Sequence, residues 1–494
     1  MLKNSSAQFE AERGQFARAL AFTSASPDGK PEIWQPWACF KLVMYETAAS
    51  LDVDPRDPGC AERQLLPLVV SRAAVGRHAS ARQLLDAAPW DGLPDSLRIA
   101  TARYLSIYMP QEAYRLLDGL GGRVPPAAHL SISLHAGRKE QARHFLREAL
   151  RQETGQGDSR LSLYRTITET LSPRQQLDCL NQVYAAQGLP GLALRCDDVP
   201  LNPCNVCAVD SGALIDGPLV SVLMTTFNVA GRVPAAIESI LRQNYRHLEL
   251  IVVDDCSTDD TALEVARLAR SDERIRLLRL DRNVGTYCAK SVGLQHARGT
   301  FVTCMDADDW SHPLKLALQI KPLLEDDSLV ASTSNCVRIS DSGVVDARQG
   351  VHLEHLNYSS LLFRREKILA EIGGWDVCAR TAADTELIWR INLAYGNQAI
   401  RNVPGILSLV SHRDDSLTMA DDGTGFVGDC FPREILRYIE AFNRWHIDAL
   451  RSCRLPRVDD DLVSWVNHHP FIFPSSAFSD VRDVADVLRN FRDA

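Results

Sequence analysis

Asp306, Asp308 and Asp309 lie within four positions of one another in the stretch VTCMDADDWSHP. Like charges that close repel, so something must offset them. Carboxylates at alternating positions, Asp306 and Asp308, can direct oxygens to one point. Hard oxygen donors of this kind suit magnesium or manganese better than zinc. So few protein ligands would leave phosphate oxygens to complete a cation's shell. Asp309 could instead cap the helical stretch HPLKLALQI. Asp254 and Asp255 close a second apolar run, LELIVVDD, and Asp384 opens TELIWRINLA with Glu386 and Arg390 close behind. A carboxylate at a helix start can be an N-cap, a general base, or both. Cys204 and Cys207 make one CNVC pair. A structural zinc site usually takes two such pairs, so ordinary thiols are the expectation.

Parallel strands are needed to bring these carboxylates together. From Leu219 the chain alternates short β-rich runs with amphipathic stretches: LVSVLMTTF, VPAAIESILRQ, LELIVVDD, STDDTALEVARLAR, RIRLLRL, YCAKSVGLQHA and TFVTCMDADD. Ser257 or Thr258 is the expected cap of the second helix. This rhythm predicts a parallel sheet covered on both faces. Such sheets bind ligands beyond the carboxyl ends of their strands, where Asp254, Asp255, Asp306 and Asp308 fall.

Upstream, the chain reads as all-α. ARQLLDA from Ala81, AYRLLDG from Ala113 and ARHFLRE from Ala142 recur at about 30-residue intervals, the range of helical-hairpin repeats. Each sets a small alanine before paired large residues on one helix stripe. GQFARAL from Gly14 resembles a fourth copy. The pattern loosely resembles tetratricopeptide repeats, and an ordinary helical bundle is the competing expectation. The expected layout is 1–200 all-α, 201–217 a Pro- and Asn-rich linker, 218–420 the α/β unit, and 421–494 a helical extension opening on the Gly-rich run ADDGTGFVGD.

The 494 residues carry a formal net charge of −9, which gives no reason to expect nucleic-acid binding. Thirteen cysteines in a chain without a signal-like N-terminus are expected to be free thiols in the cytoplasm. No apolar run is long enough for a transmembrane helix.

VSVLMTTFN, LELIVVDDCSTDDT, RNVGTYCAKSVGLQHARG and MDADDW occur in the order seen in family 2 glycosyltransferases, which the chain resembles over residues 219–418. The resemblance implies a GT-A fold and inverting transfer of a sugar from a nucleotide donor, favouring UDP, to a glycan or other acceptor. It implies nucleoside contacts by Thr225, Phe227 and Asn228, and a uracil contact by Asp255. Arg282 and Asn283 would line the nucleotide pocket. Asp308, with Asp306 supporting it or the donor sugar, would hold Mn²⁺ or Mg²⁺. His412 and Arg413, in LVSHRDDSLT, resemble a loop over the diphosphate, with His412 a further metal or phosphate contact. Asp384 falls on the catalytic aspartate.

Two positions depart from the family pattern: Ala383, where glutamate is usual, and Ser291, where asparagine is common. The Gln-x-x-Arg-Trp signature of processive synthases does not appear. The expected protein adds one or a few sugars in surface polysaccharide or glycoconjugate synthesis, in the cytoplasm or at the inner face of the membrane. Its helical region could bind a protein partner. The competing readings are a non-catalytic scaffold that binds nucleotide sugars, and a nucleotidyltransferase. The second lacks a Gly- and Lys-rich loop after the first strand.

Overall fold

The computed structural model describes residues 7–23, 32–51, 58–152, 158–210, 212–347, 353–413, 433–472 and 479–492. It has a helical region followed by an α/β unit built on one mixed sheet. The helix pairs Pro58–Ala74 with His78–Ala87, Asp95–Leu105 with Pro110–Arg115, and Pro126–His135 with Lys139–Gln152 pack within themselves. The first helices of successive pairs also touch. Ala81, Ala113 and Ala142 are fully buried, because only a small side chain fits where the helices cross. Gly76 and Gly137 turn the chain into the second helix of their pairs with φ of 81° and 70°.

The strands are β1 (Leu192–Leu194), β2 (Val206–Ala208), β3 (Val220–Thr226), β4 (Leu248–Asp254), β5 (Ile275–Arg279), β6 (Phe301–Asp306), β7 (Trp310–Ser311), β8 (Ala331–Ser340), β9 (His355–Arg364) and β10 (Ile400–His412). β1 and β2 pair antiparallel. The others form one sheet in the order β5-β4-β3-β6-β9-β8-β10-β7. β3 to β6 are the four runs read from the sequence, and they are parallel. Their register aligns Thr226 with Asp254 and Thr225 with Asp306, so the carboxylates share one sheet edge. β9 then enters antiparallel beside β6, and β10 runs parallel to β8.

Pro- and Asn-rich composition reads as a linker over 201–217, but its first part is built into the fold. Asn205 donates to the carbonyls of Cys196 and Val199 (3.0 and 2.8 Å) and accepts from the Cys196 N–H (2.9 Å). Leu201 and Val206 join a core shared by the helical region and the sheet, with Tyr184, Trp310 and Leu409. The expected cap of the second helix also differs. The helix starts at Thr261, and Asp259 accepts from the Thr261 N–H at 3.0 Å. Ser257 and Thr258 instead bond Asn228.

The C-terminal helices close the far side. Asp376 is almost fully buried and accepts from Trp465 Nε1 (3.0 Å), the Tyr438 hydroxyl (3.1 Å) and the Cys378 N–H (3.2 Å), with His469 Nε2 at 3.1 Å. Asp376, Cys378 and His469 are the one group of three or more His, Cys or acidic side chains among the described residues close enough to share a metal. These hydrogen bonds already satisfy the carboxylate, so the cluster is a staple for the C-terminal segment. Burial opposes charge on His469, but Asp376 outweighs it and raises the imidazole above its ordinary 6.5. The charged pair therefore stabilises fully below pH 6.5, and its contribution fades as pH rises through the raised value. Amides of the helix Leu462–Asn467 should lose hydrogen-exchange protection as pH rises through that window. In His469→Gln that pH dependence should disappear, and its persistence would assign it elsewhere.

Candidate active site

The site is built where β3, β4 and β6 end and the helix Ala383–Tyr395 begins. Three non-glycine residues with positive φ border it: Asn228 at 50°, Cys256 at 62° and Ala382 at 62°. Such conformations cost on the order of 1–3 kcal/mol each and persist only where surrounding contacts impose them. At Asn228 those contacts are visible. Its Oδ1 accepts from the Thr258 N–H (2.8 Å), and its own N–H donates to Ser257 Oγ (3.0 Å). Asn228 thus splices the loop after β3 to the loop after β4.

Asp384 is the second residue of its helix and 5% exposed. It does not act as the side-chain cap considered from the sequence; four side chains converge on it. Trp375 Nε1 donates to Oδ1 at 2.8 Å. The Tyr287 hydroxyl and Lys290 Nζ donate to Oδ2 at 3.2 and 3.1 Å, and Ser359 Oγ stands 3.5 Å from the same oxygen. Lys290 is fully buried. Burial alone would lower its ammonium pKa, but Asp384 reverses the shift and holds it well above the usual lysine range. Ser359 Oγ also donates to Asp306 Oδ2 at 3.1 Å. One serine hydroxyl on β9 therefore joins the carboxylate at the end of β6 to the one at the helix start.

Asp308 pairs with Arg413, Nε to Oδ2 at 3.0 Å. Desolvation raises the Asp308 carboxyl, Arg413 lowers it, and Asp306 raises it further, with the net shift upward. Asp309 is buried and accepts from the Ser411 N–H at 2.9 Å rather than capping the following helix. Its carboxyl is pushed well up by burial and then by Asp308 and Asp306. Arg413 answers part of this charge, and Asp306 and Asp308 are the residues that could offer hard oxygen donors to a divalent cation. His412 closes β10, with its Nδ1 3.5 Å from Asp346 Oδ2.

The nucleoside-side residues divide. Thr225 Oγ1 meets Thr286 Oγ1 at 2.7 Å, and Phe227 is exposed beside them in sequence at 47%. Asp255 is buried, and its two oxygens accept from the N–H groups of Val284 and Gly285, each at 2.8 Å, while Asn283 Nδ2 donates to its carbonyl at 3.2 Å. Burial raises the Asp255 carboxyl to about 6; the two backbone bonds act against that shift and Asp254 adds to it. Asp255 thus shapes the 283–285 loop. Arg282 points outward, to Asp483 at 2.7 Å and Asp486 at 3.5 Å on the helix Val481–Arg492. The Gly-rich run from Met419 lies outside the described residues.

Sequence reasoning missed Lys290, Tyr287, Trp375 and Ser359. Lys290 had a readable signal, a lone cation in the apolar stretch YCAKSVG. Its helix lies close on the sheet because Gly293 leaves room: a Cβ there would meet Val253 Cγ2 at 3.1 Å. Ala383, the family departure, is fully buried in the apolar core, so a glutamate in that environment would be a buried charge.

Residues 221–382 match the family described as Glycosyl transferase family 2. Over this stretch the chain is similar to family 2 glycosyltransferases. It is 37% identical over 113 residues to the UDP-Glc:alpha-D-GlcNAc-diphosphoundecaprenol beta-1,3-glucosyltransferase WfgD of Escherichia coli, covering 23% of this chain and 44% of that protein. It is 39% identical over 104 residues to the succinoglycan biosynthesis protein ExoO of Rhizobium meliloti, covering 21% and 29%. The matched stretches thus span less than half of either relative. Among solved structures, the mannosyltransferase PcManGT from Pyrobaculum calidifontis, in complex with GDP-Man and Mn²⁺, aligns at 20% identity and a TM-score of 0.35, over 57% of this chain and 81% of that one.

Removing Lys290 would leave the Asp384 carboxylate buried without its counter-charge. Lys290→Met should cost roughly 3–5 kcal/mol in chemical denaturation. Adding Asp384→Asn should restore a large part of that loss. A double variant no more stable than Lys290→Met would show that the two groups are not coupled.

Proposed function

We propose that this chain is an inverting glycosyltransferase. It would move a sugar from a nucleoside-diphosphate donor, favouring UDP, to a hydroxyl of a glycan or glycoconjugate in cell-surface polysaccharide synthesis. One observation carries the reading: Asp306 and Asp384, far apart in sequence, meet on the Ser359 hydroxyl at the carboxyl edge of the parallel strands. The names of the two relatives, a UDP-glucose-dependent transferase and a succinoglycan biosynthesis protein, support the donor and the setting.

In this reading the nucleoside lies along the loops after β3 and β4. Phe227 offers the base an exposed aromatic face, and Thr225, Asn228, Asp255 and Asn283 shape its bed. Arg282 acts at a distance, by fastening that loop to the C-terminal helix. Asp384 takes the proton of the acceptor hydroxyl as its oxygen bonds the anomeric carbon. The bond from that carbon to the diphosphate breaks on the opposite face, and configuration inverts. A hydroxyl already touches Asp384 in Ser359, which marks where an acceptor hydroxyl would arrive. Arg413 and Arg232 supply positive charge: Arg413 pairs with Asp308, and Arg232 helps lower the Asp308 carboxyl. A divalent cation, Mn²⁺ or Mg²⁺, held by Asp306 and Asp308 would add neutralisation of the departing diphosphate when bound.

No helix among the described residues is long and apolar enough to cross a membrane. We place the enzyme in the cytoplasm, working at the inner face of the membrane, with its tetratricopeptide-like helix pairs as the surface for a protein partner.

Asp384→Asn should lower turnover by about 10²–10⁴-fold, the usual worth of a general base. The rise in melting temperature produced by a UDP-sugar with manganese should stay, because binding to the folded state does not need the base. Wild-type protein that is stabilised by the donor yet transfers nothing would instead indicate a nucleotide-sugar-binding scaffold.

A further inference from the structure

Val284, at the centre of the 282–285 loop, is buried, and both of its backbone polar groups are held. Its N–H donates to Asp255 Oδ1 at 2.8 Å. Its carbonyl accepts from Ser479 Oγ at 2.5 Å. A buried carbonyl needs a partner, and here the partner comes from the other end of the chain. The backbone N–H of Ser479 donates in turn to the Cys378 carbonyl at 3.1 Å. Cys378 lies between Trp375, which bonds Asp384, and the helix that carries Asp384. One serine therefore ties the loop shaped by Asp255 to the segment that leads into Asp384.

The fit at this point is close. A Cβ on Gly285 would stand 2.7 Å from Ser479 Oγ, so an alanine there would push the serine away. The helix Val481–Arg492 holds Ser479 in place. Its Val484, Ala485, Val487 and Leu488 are buried in the core that also contains Val284, Tyr287 and Cys378. The helix packs on Thr286–Gln295, which carries Lys290. At the rim, Arg282 pairs with Asp483 and Asp486, but these side chains are each at least 40% exposed. Exposed pairs contribute little, so the serine hydroxyl is the stronger link.

We propose that Ser479 is a positioning residue for the donor site, on the reading given above that the 283–285 loop and Asp255 shape the bed of the nucleoside. Its hydroxyl fixes the Val284 carbonyl and keeps the loop in the arrangement that receives the nucleotide. A loop released at this point samples other conformations, and apparent affinity falls with the fraction that stays competent. Ser479 lies outside residues 221–382, so this support is separate from the stretch matched to the family.

Calorimetric titration of the full chain with UDP and with GDP, each with manganese, tests this. The wild type should bind at least one of them. Ser479→Ala removes the hydroxyl and keeps the backbone bond to Cys378. It should bind that nucleotide about three- to tenfold more weakly, the worth of one hydrogen bond. Ser479→Thr keeps the hydroxyl and should bind like the wild type. In transfer assays, KM for the donor should rise in Ser479→Ala by the same factor, with kcat unchanged. Hydrogen exchange on the wild type needs no variant: saturating nucleotide should slow exchange in residues 479–485, because coupling between two sites is reciprocal. Equal affinity in Ser479→Ala and wild type overturns the proposal, as does a lowered unfolding midpoint with affinity unchanged, which would make Ser479 a packing contact. Exchange in 479–485 that nucleotide does not alter overturns it too. These results leave the transferase reading intact, whereas a wild type that binds neither nucleotide overturns both.

Discussion

A carboxylate buried at the start of a helix has to be answered by a cation, and in this protein that constraint organises the centre of the molecule. Asp384 is answered by Lys290, which is itself buried on a helix lying flat against β3 and β4. For the ammonium to reach the carboxylate, that helix must approach the sheet closely, which Gly293 permits. The indole of Trp375 and the hydroxyl of Tyr287 also donate to Asp384, and Ser359, which donates to Asp306, stands 3.5 Å from it. Lys290 and Tyr287 come from one helix, Ser359 from β9 and Trp375 from the loop before the Asp384 helix, so the position of one carboxylate records the assembly of these elements together.

The same logic repeats outward. Glu386, two residues further on, is matched by Arg390 and His446, all three fully buried. Arg390 also donates to the carbonyls of residues 372–374, immediately before Trp375. Asp376 is matched by His469 and two aromatic donors from the C-terminal helices. Buried ion pairs of this type contribute little net stability over an apolar core, but removing one partner is costly. They make the arrangement hard to alter in pieces. Glu440, also buried, ties the helical region down by accepting from the N–H groups of Glu46 and Thr47 at the start of a helix.

What could be read from the sequence followed physical range. β3 to β6 were legible because a doubly covered parallel strand is a near-continuous apolar run that ends abruptly in polar residues. β8, β9 and β10 were not identified as strands. Much of β8 and β9 is polar, as in ASTSNCVRIS, and its burial depends on partners distant in the chain. Asp306, Asp308 and Asp384 were found by type and position, whereas Lys290, Trp375 and Ser359 are defined only by what they touch. Arg282 shows the reverse limit: its pairing with Asp483, 201 residues away, and with Asp486 depends on a helix that its own segment does not announce.

The family match stops at residue 382, and the sheet does not. β10, inserted between β8 and β7, lies entirely beyond that point, as do Asp384, Arg413 and His469. A protein cut at the boundaries of the recognised domain would begin one residue into β3 and end just before the helix that carries Asp384. It would expose one whole edge of β8, lose the carboxylate around which its interior charges are arranged, and leave Lys290 and Asp376 as buried ions without their opposites. In this chain the unit of homology and the unit of folding are different lengths, and expression boundaries have to follow the second.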